Sequence, residues 1–361
     1  MQIRKLIAVL VFTAVANFAA AQDMHFSQYE FSPLSVNPAL TGIDKNLHVV
    51  VHHRDQWRTM NAYRTEELNF EVRFDPTGWL KLKNRTATFK RQKQKGLALG
   101  VAINSDKAGD GKMNKFSCDF SLAYHMIMDE KSRFSAGILW GIKQRSITPS
   151  GLRFNNQYDV TGAYDDNLLS GETFNYSSVS YNDFSAGVCY SYGREDMYME
   201  SNDNKAFKIG FSTDHLTRPD NVYILSQDAH GYMRYTLHGN FLFGVKNSRM
   251  SVGGSLLAML QGNQKEITVG GLLKFHMKDD SRYTGIKKGN AIAAGAYYRV
   301  GDAFIPFLQY ELARYAIGVS YDLNMSGLSK ATTGRGGLEV TLRFFNPVPF
   351  LFQKKAKTSR I

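Results

Sequence analysis

The segment FSCDFSLAYHM, residues 116–126, decides the fold of this chain because apolar residues alternate along it with polar or small ones. Every even-numbered residue of the segment is apolar, and the residues between them are polar or small. A β-strand sends successive side chains to opposite faces, so this segment has one apolar face and one polar or tightly packed face. The pattern recurs in segments of about ten residues separated by turn residues, which is typical of a transmembrane β-barrel.

The alternation marks about fourteen candidate strands, and an even number fits a bacterial barrel. They are 47–53, 66–74, 97–104, 115–127, 134–143, 184–193, 206–212, 233–245, 249–260, 266–276, 291–299, 303–310, 314–323 and 337–345. We therefore predict an all-β fold, a transmembrane antiparallel β-barrel of about 14 strands.

The first residues have the pattern of a cleaved secretory signal peptide. Arg4 and Lys5 form the positive end, an apolar stretch follows at 6–16, and Ala19 and Ala21 fit a small-x-small cleavage site. The predicted organisation is a signal peptide at 1–21, an ordered N-terminal lead-in at 22–44, an outer-membrane β-barrel at 45–346 and a basic C-terminal tail at 347–361.

Connection lengths predict which loops share an end of the barrel. The long connections 145–183, 213–231 and 324–335 all follow odd-numbered strands, so they meet at one end, which we expect to be external. A basic connection at 75–94 is also long and would lie at the opposite, periplasmic end. The 145–183 loop is a candidate for recognising a bound cargo protein, because loops carry specificity on rigid scaffolds.

The net charge indicates which molecules the protein could bind, and the cysteine pattern indicates whether it has disulfides or a zinc site. The formal charge is +12, which in an exported protein points to acidic envelope components and outer-membrane lipid and not to nucleic acid. Cys118 falls on the apolar face of its strand and Cys189 on the small or polar face of its own. A disulfide would need their β-carbons close together, and we favour unpaired structural cysteines. No Cys/His spacing suggests zinc, and we predict no cofactor.

The search for catalytic chemistry gives one weak candidate. Ser212, Asp214 and His215 lie close together in sequence, but a nucleophilic triad at a strand end seldom has the required geometry, and we favour a turn capped by Asp214. His52 and His53 are adjacent, so they should point to opposite faces and share no metal. We predict that the protein is not an enzyme.

Glycine recurs at positions predicted to face the barrel interior. This pattern indicates either relief of barrel curvature or a lumen that another chain or loop occupies, and we favour curvature relief. The positions are Gly100, Gly137, Gly187, Gly210, Gly244, Gly253, Gly270, Gly295 and Gly318.

Several ordered motifs resemble the PorP/SprF family of the Bacteroidetes type IX secretion system. The sequence QDMHFSQY at 22–29 is followed by NPALTG at 37–42 and RDQW at 54–57. Later come IGFSTDHL at 209–216, SYDLN at 320–324 and GGLEV at 336–340. The resemblance spans the mature chain in order.

The resemblance implies a non-enzymatic outer-membrane component that supports secretion or surface anchoring of cargo proteins, such as gliding adhesins, by binding their C-terminal domain. It also implies contact with other type IX components on the periplasmic side. The motif residues are the structural or partner-binding candidates: Phe26, Ser27, Gln28, Asn37, Pro38, Gly42, Arg54, Gln56, Trp57, Asp214, His215, Asp322, Asn324 and Glu339.

Read physically, the N-terminal motif has a packing role. Phe26, Tyr29, Phe31 and Leu34 could plug the barrel or pack beneath it, with Arg54 and Trp57 as anchors for that segment. We favour this structural role over direct contact with cargo.

Two other functions stay open at this point. A passive outer-membrane porin would have an open polar lumen, which the small inward residues permit. A barrel hydrolase would need a working constellation around Ser212.

Overall fold

The computed structural model is a closed barrel of fourteen antiparallel strands, in which each strand pairs with its sequence neighbours and β1 pairs with β14. The structure describes residues 24–57, 63–74, 96–109, 112–129, 131–148, 152–158, 162–165, 167–171, 178–193, 205–219, 231–278, 289–327 and 334–346. Within those ranges, no helix has the length and apolar character needed to span a membrane.

The strand bounds match the fourteen predicted segments in number and order, which confirms the predicted fold class. They are β1 Leu47–Gln56, β2 Tyr63–Phe74, β3 Gly96–Ala108, β4 Met113–Ile127, β5 Ser132–Ser146, β6 Ser178–Tyr192, β7 Lys205–Asp214, β8 Arg234–Gly244, β9 Met250–Gln261, β10 Gln264–Lys278, β11 Asn290–Arg299, β12 Ala303–Leu312, β13 Tyr315–Asn324 and β14 Arg335–Asn346.

The largest boundary difference is at β6, which begins at Ser178 and not at Phe184. Ser178, Ser180 and Asn182 are exposed on the outward side of this extension. The outward residues of this extension are polar and not apolar, so hydrophobic alternation could not mark the start of the strand.

The outward face is apolar, as the alternation predicted. In the segment at 116–126, Phe120, Leu122 and Tyr124 are exposed, whereas Ser121 and His125 are buried toward the lumen. Leu139, which broke the alternation in β5, is buried inside, and Ile138 beside it is 60% exposed. An outward band of this kind is the surface that a transmembrane barrel presents to lipid.

The two ends of the barrel differ in their connections. We call the end that carries the connections after odd-numbered strands the long-loop end, since 147–177, 215–233 and 325–334 lie there. The opposite, short-turn end includes the tight connection between β4 and β5. The predicted basic connection 75–94 and the predicted basic tail lie outside the described residues.

Residues 24–46, which we call the lumen segment, run through the inside of the barrel. The segment contains helix α1, Pro33–Val36, between two 3-10 turns at Tyr29–Phe31 and Pro38–Leu40. Its start lies near Arg54, close to the long-loop end of β1, and its end leads into β1 at the short-turn end. Fourteen strands would otherwise enclose a wide space, and this segment fills it.

The inward glycines have a different cause from the one we favoured. A β-carbon at Gly137 would lie 2.4 Å from the Pro38 carbonyl carbon, and one at Gly187 would lie 2.0 Å from Asn37 Oδ1. Gly100 and Gly210 are also crowded by the lumen segment. Curvature relief is therefore wrong at these positions, because glycine is needed where the lumen segment approaches the wall. Gly270 and Gly295 instead adjoin the aromatic rings of Tyr297 and Phe307.

The outward face of β5 provides a test of membrane placement. Replacement of Ile138 by Lys should destabilise the folded barrel by about 2–4 kcal/mol, because a charge at the middle of a strand would face hydrocarbon. Urea unfolding in lipid vesicles measures the free energy. Leu169→Lys is the matched control, since Leu169 lies in a loop and is 89% exposed. Equal stability of both variants would contradict the facing assignment.

Candidate functional site

The lumen segment and the wall that holds it form the candidate functional site, and its most buried part is a polar network near the long-loop end. The carboxylate of Glu339 accepts hydrogen bonds from the backbone amides of Ser27 and Gln28, both at 2.8 Å. The Ser27 hydroxyl donates to Asp322 at 2.9 Å, and Arg54 pairs with Asp322 at 2.7 Å. These five residues are all buried, so each charge depends on the others.

The strand register explains why two residues of this network, Arg54 and Glu339, are neighbours. Arg54 on β1 and Glu339 on β14 are directly paired at the seam where the barrel closes. His52, two residues from Arg54 on the same face, donates a hydrogen bond to Glu339 at 2.9 Å, and its ring stacks on Phe26 with 4.1 Å between the ring centres. The β1–β14 pair, which closes the barrel, therefore also holds the start of the lumen segment.

Arg299, the last residue of β11, adds a second cation to the network. Its guanidinium donates to the Ser27 hydroxyl at 3.0 Å and lies 3.5 Å from Asp322. Arg54 also donates to the backbone carbonyl of His25. Arg299 also pairs with Glu266 at 3.4 Å and with Asp302 at 2.9 Å, so the two arginines of the network are shared among several carboxylates.

Asn37 holds the middle of the lumen segment. Its side-chain amide donates to the carbonyl oxygens of Val188 at 3.0 Å and Phe211 at 3.2 Å, on β6 and β7. Its side-chain oxygen accepts from the Ala39 amide at 2.8 Å and so caps the following 3-10 turn. One side chain therefore fixes both the local turn and its position against the wall.

The end of the lumen segment is held by charged and polar wall residues near the short-turn end. Arg73 donates to the carbonyl oxygens of Gly42 at 2.9 Å and Ile43 at 3.0 Å. Glu71 accepts from the Gly42 amide at 2.7 Å, and His125 donates to the Thr41 carbonyl at 2.8 Å. Gly42 has φ +63, a left-handed conformation that favours glycine.

A cavity of about 270 Å³ opens beside the lumen segment toward the short-turn end. Phe31, Val36 and Leu40 form its apolar side. Its charged side contains ion pairs, including Lys208 with Asp44 at 2.6 Å and Lys274 with Glu311 at 2.8 Å. The cavity therefore presents both signs of charge beside an apolar wall.

A comparison with protein-family models identifies the family of this chain. The model of the family described as "Type IX secretion system membrane protein PorP/SprF" matches residues 18–344. The chain belongs to the PorP/SprF family. The match covers both the lumen segment and almost all of the barrel, so this PorP/SprF chain is a membrane protein of the type IX secretion system.

Solved structures with a similar shape are distant from this PorP/SprF chain. BamA from Haemophilus ducreyi lacking POTRA domains 1–3 has 7% identity and a TM-score of 0.39, over 83% of this chain and 70% of that one. CdiB from Acinetobacter baumannii has 6% identity and a TM-score of 0.38, over 82% and 59%. The CymD monoaromatic hydrocarbon channel has 9% identity and a TM-score of 0.36, over 88% and 93%. A comparison with curated protein sequences gives no significant match.

The structure brings most of the motif residues of this PorP/SprF chain to the lumen segment and its wall, and leaves three at the rim. Gln56 ends β1, and the Trp57 ring lies 5.4 Å from the ring of Tyr63. The side-chain amide of Asn324 donates to the Arg335 carbonyl across the β13–β14 connection. Among the described contacts, Arg54 anchors the lumen segment as expected, whereas the Trp57 ring packs at the rim.

Ser212, Asp214 and His215 do not form a triad. The Ser212 hydroxyl donates to the Val36 carbonyl at 2.7 Å, and His215 bonds Asp183 at 2.7 Å. Asp214 does not cap the turn as we favoured. It pairs with Arg234, which also donates to the Ser35 carbonyl at 3.0 Å. These side chains hold the lumen segment and the end of the barrel wall.

The adjacent histidines and the cysteines lie as the strand periodicity predicted. His52 is buried, and the side chain of His53 is 44% exposed on the opposite face. Cys118 and Cys189 are free, with Cys189 buried toward the lumen.

Sequence reasoning missed several wall residues that hold the lumen segment. Glu71, Arg73, His125 and Arg299 all face inward from strands with an apolar outward face. A signal was present, because a charged side chain on the inner face of a membrane strand must find a partner inside the barrel. The sequence analysis named the N-terminal segment as a partner for Arg54 and Trp57, but it did not connect these other inward residues to that segment.

Removal of Arg54 should strongly destabilise the barrel. Arg54→Ala leaves the buried carboxylates of Asp322 and Glu339 short of a partner, which should cost about 3–5 kcal/mol. Arg64→Ala is the matched control because Arg64 is exposed on the neighbouring strand, and it should change stability by less than about 0.5 kcal/mol. Urea unfolding measures the free energy of unfolding of both variants. Equal losses would contradict the role of Arg54 in the network.

A side chain at Gly187 should displace the lumen segment. Gly187→Val puts its β-carbon against Asn37, whereas Gly271→Val adds one where nothing lies within 4 Å. We expect limited proteolysis to cut the 24–46 segment much faster in the Gly187 variant, with both barrels retaining heat-modifiable gel mobility. Identical digestion of both folded variants would contradict the close contact between Asn37 and the wall at Gly187.

Proposed function

We propose that this protein is a non-enzymatic outer-membrane anchor of the type IX secretion system. In this proposal it supports secretion or surface attachment of a cargo protein, such as a gliding adhesin, by holding the cargo's C-terminal domain at the long-loop end. The observation that carries the proposal is the filled lumen. Residues 24–46 occupy the interior of the barrel, so a partner would bind at the loops and not inside a pore.

The filled lumen supports anchoring over the passive porin. The buried contacts extend along the segment, from Glu339 with Gln28 to Arg73 with Ile43. A porin needs a continuous aqueous path, and these contacts lie across that path. The proposal therefore treats the lumen segment as a permanent part of the scaffold that positions the loops.

The connection between β5 and β6 offers an exposed surface for cargo. Within its described residues, Tyr158 and Tyr164 form an isolated β-bridge, and Arg153 lies over the Tyr164 ring at 4.5 Å. Leu169 is 89% exposed beside this ordered part. An exposed apolar residue on a structured loop is suited to bind a protein surface.

The short-turn end is the proposed contact for other type IX components in the periplasm. There the cavity combines the apolar side chains of Phe31 and Leu40 with paired charges such as Lys274 and Glu311. A signal peptide at 1–21 and outer-membrane lipid around the apolar band complete the proposal, since a barrel reaches that membrane by export.

Loop variants test the cargo-binding proposal directly. Tagged protein, extracted in detergent from outer membranes, should co-purify a secreted protein that carries a type IX C-terminal domain. Leu169→Asp should reduce the recovered cargo several-fold, while Met128→Asp, at an exposed turn of the short-turn end, should leave it unchanged. Equal recovery with both variants would remove the loop from the binding model, and the absence of secreted protein from every sample would contradict anchoring.

Conductance distinguishes the anchor from the porin. In planar bilayers the purified protein should give no stable porin-like steps, because residues 24–46 fill the lumen. The Gly187→Val variant should give steps if it displaces the segment, whereas Gly271→Val should not. Large steady conductance from the unaltered protein would favour the porin.

A further inference from the structure

The cavity beside the lumen segment opens next to the point where the last strand of the barrel ends. Phe345 of β14 lines the cavity, and Asn346, the next residue, is the end of that strand. Across the β1–β14 pair, the ammonium group of Lys45 lies 5.3 Å from the centre of the Phe345 ring. The C-terminal tail, 347–361, therefore begins at the rim of the cavity, at the short-turn end.

The charges around the cavity balance one another. Of the described lining residues, four are Asp or Glu and four are Lys or Arg. Glu311, for example, lies 2.8 Å from Lys274 and 3.6 Å from Arg343. A charged occupant would enter this partly enclosed space without a compensating charge, which is costly. The cavity therefore favours an uncharged and apolar occupant.

The size and the apolar side of the cavity fit a short peptide. Its volume of about 270 Å³ is close to the lower limit of about 300 Å³ for small-ligand sites, and too small for a folded domain. Leu40 and Phe345 are half-buried and line the open space, beside the buried ring of Phe31. Apolar side chains placed against this surface would leave water, which is favourable.

The first half of the C-terminal tail has the composition that the cavity favours. Residues 347–353 read PVPFLFQ and include no charged side chain, and the basic residues begin only at Lys354. Pro347 has no backbone N–H to donate, which fits the end of β14 at Asn346. Phe350, Leu351 and Phe352 gain most from a site that removes them from water.

The apolar run is close enough to reach the cavity. An extended chain covers at most about 3.3–3.6 Å per residue, so position 350 can lie up to about 14 Å from Asn346. Arg343 is three residues before Asn346, about 10 Å along the strand, and its guanidinium lies 3.8 Å from the centre of the Phe31 ring. The apolar side of the cavity is therefore within the span of the first residues of the tail.

We propose that the cavity binds the apolar part of the chain's own C-terminal tail, residues 350–352. These side chains pack against Phe31 and Leu40, so the lumen segment contacts the barrel wall on one side and the tail on the other. Lys354 and the basic residues after it then stay at the short-turn surface. This docking does not depend on the proposed binding of cargo or of periplasmic components.

A photo-cross-linking amino acid in the tail of the full-length protein tests the proposal. The variant Phe350→benzoylphenylalanine is purified in detergent and irradiated, and the linked peptides are identified by mass spectrometry. We expect most links from position 350 to join peptides of the lumen segment that contain Phe31 or Leu40. Thr358→benzoylphenylalanine, in the basic part of the same tail, is the matched control and should lose these links.

The reciprocal pair of variants separates the cavity from the outer surface of the barrel. Phe31 lies in the cavity wall, whereas Phe344 faces outward, since its direct partner Tyr315 is 58% exposed. Benzoylphenylalanine at position 31 should capture residues 347–353, and the same amino acid at position 344 should not. Position 344 is the nearer to the tail in sequence, so chance encounters favour the control.

Three results would overturn the proposal. Position 350 could link only to outward-facing residues or detergent, or it could give no link in the folded protein. In isolated outer membranes it could instead capture another protein without any link to the lumen segment, which would assign the cavity to a partner's peptide. Because position 350 lies beyond the last strand, this variant keeps the test decisive where the change at Phe31 prevents folding.

Discussion

The structure depends on the burial of charged side chains inside a closed barrel. Glu339 lies at the β1–β14 seam with no exposed surface, and the backbone amides of Ser27 and Gln28 satisfy its carboxylate. A buried carboxylate without such partners would cost several kcal/mol. The lumen segment therefore stabilises the barrel wall, and the wall holds the segment in place.

This mutual dependence explains the composition of the inner face. Glycine occurs where the segment touches the wall, as at Gly137 and Gly187, and charged residues occur where the segment presents backbone groups, as at Arg73. A water-filled channel would tolerate larger side chains at those glycine positions. The inner face is thus shaped to receive a specific peptide, which supports the proposed scaffold over a general diffusion pore.

The sequence predicts the barrel better than it predicts the site, and the reason is physical. Alternation with period two is local, so residues 116–126 reveal a strand and its facing without any knowledge of their neighbours. The lumen segment has no such period, and its contacts join residues about three hundred positions apart, as between Ser27 and Glu339. Motif resemblance identified Arg54, Asp322 and Glu339 as candidates, but only the closed register brings them together.

The position of the lumen segment also bears on how the protein works within type IX secretion. Its first described residues lie near the long-loop end, and it enters β1 at the short-turn end. The segment thus joins the two surfaces that we propose bind cargo and periplasmic components.

Disulfide trapping in the intact membrane tests the central claim that residues 24–46 fill the lumen. The hydroxyls of Thr41 and Ser121 lie 2.6 Å apart, so cysteines at both positions can reach bonding distance. With Cys118 and Cys189 changed to Ser, the Thr41→Cys, Ser121→Cys double variant should form the internal disulfide almost completely in isolated outer membranes. Single-cysteine variants provide the baseline. Folded barrels in which the two cysteines stay separately reactive would contradict the account.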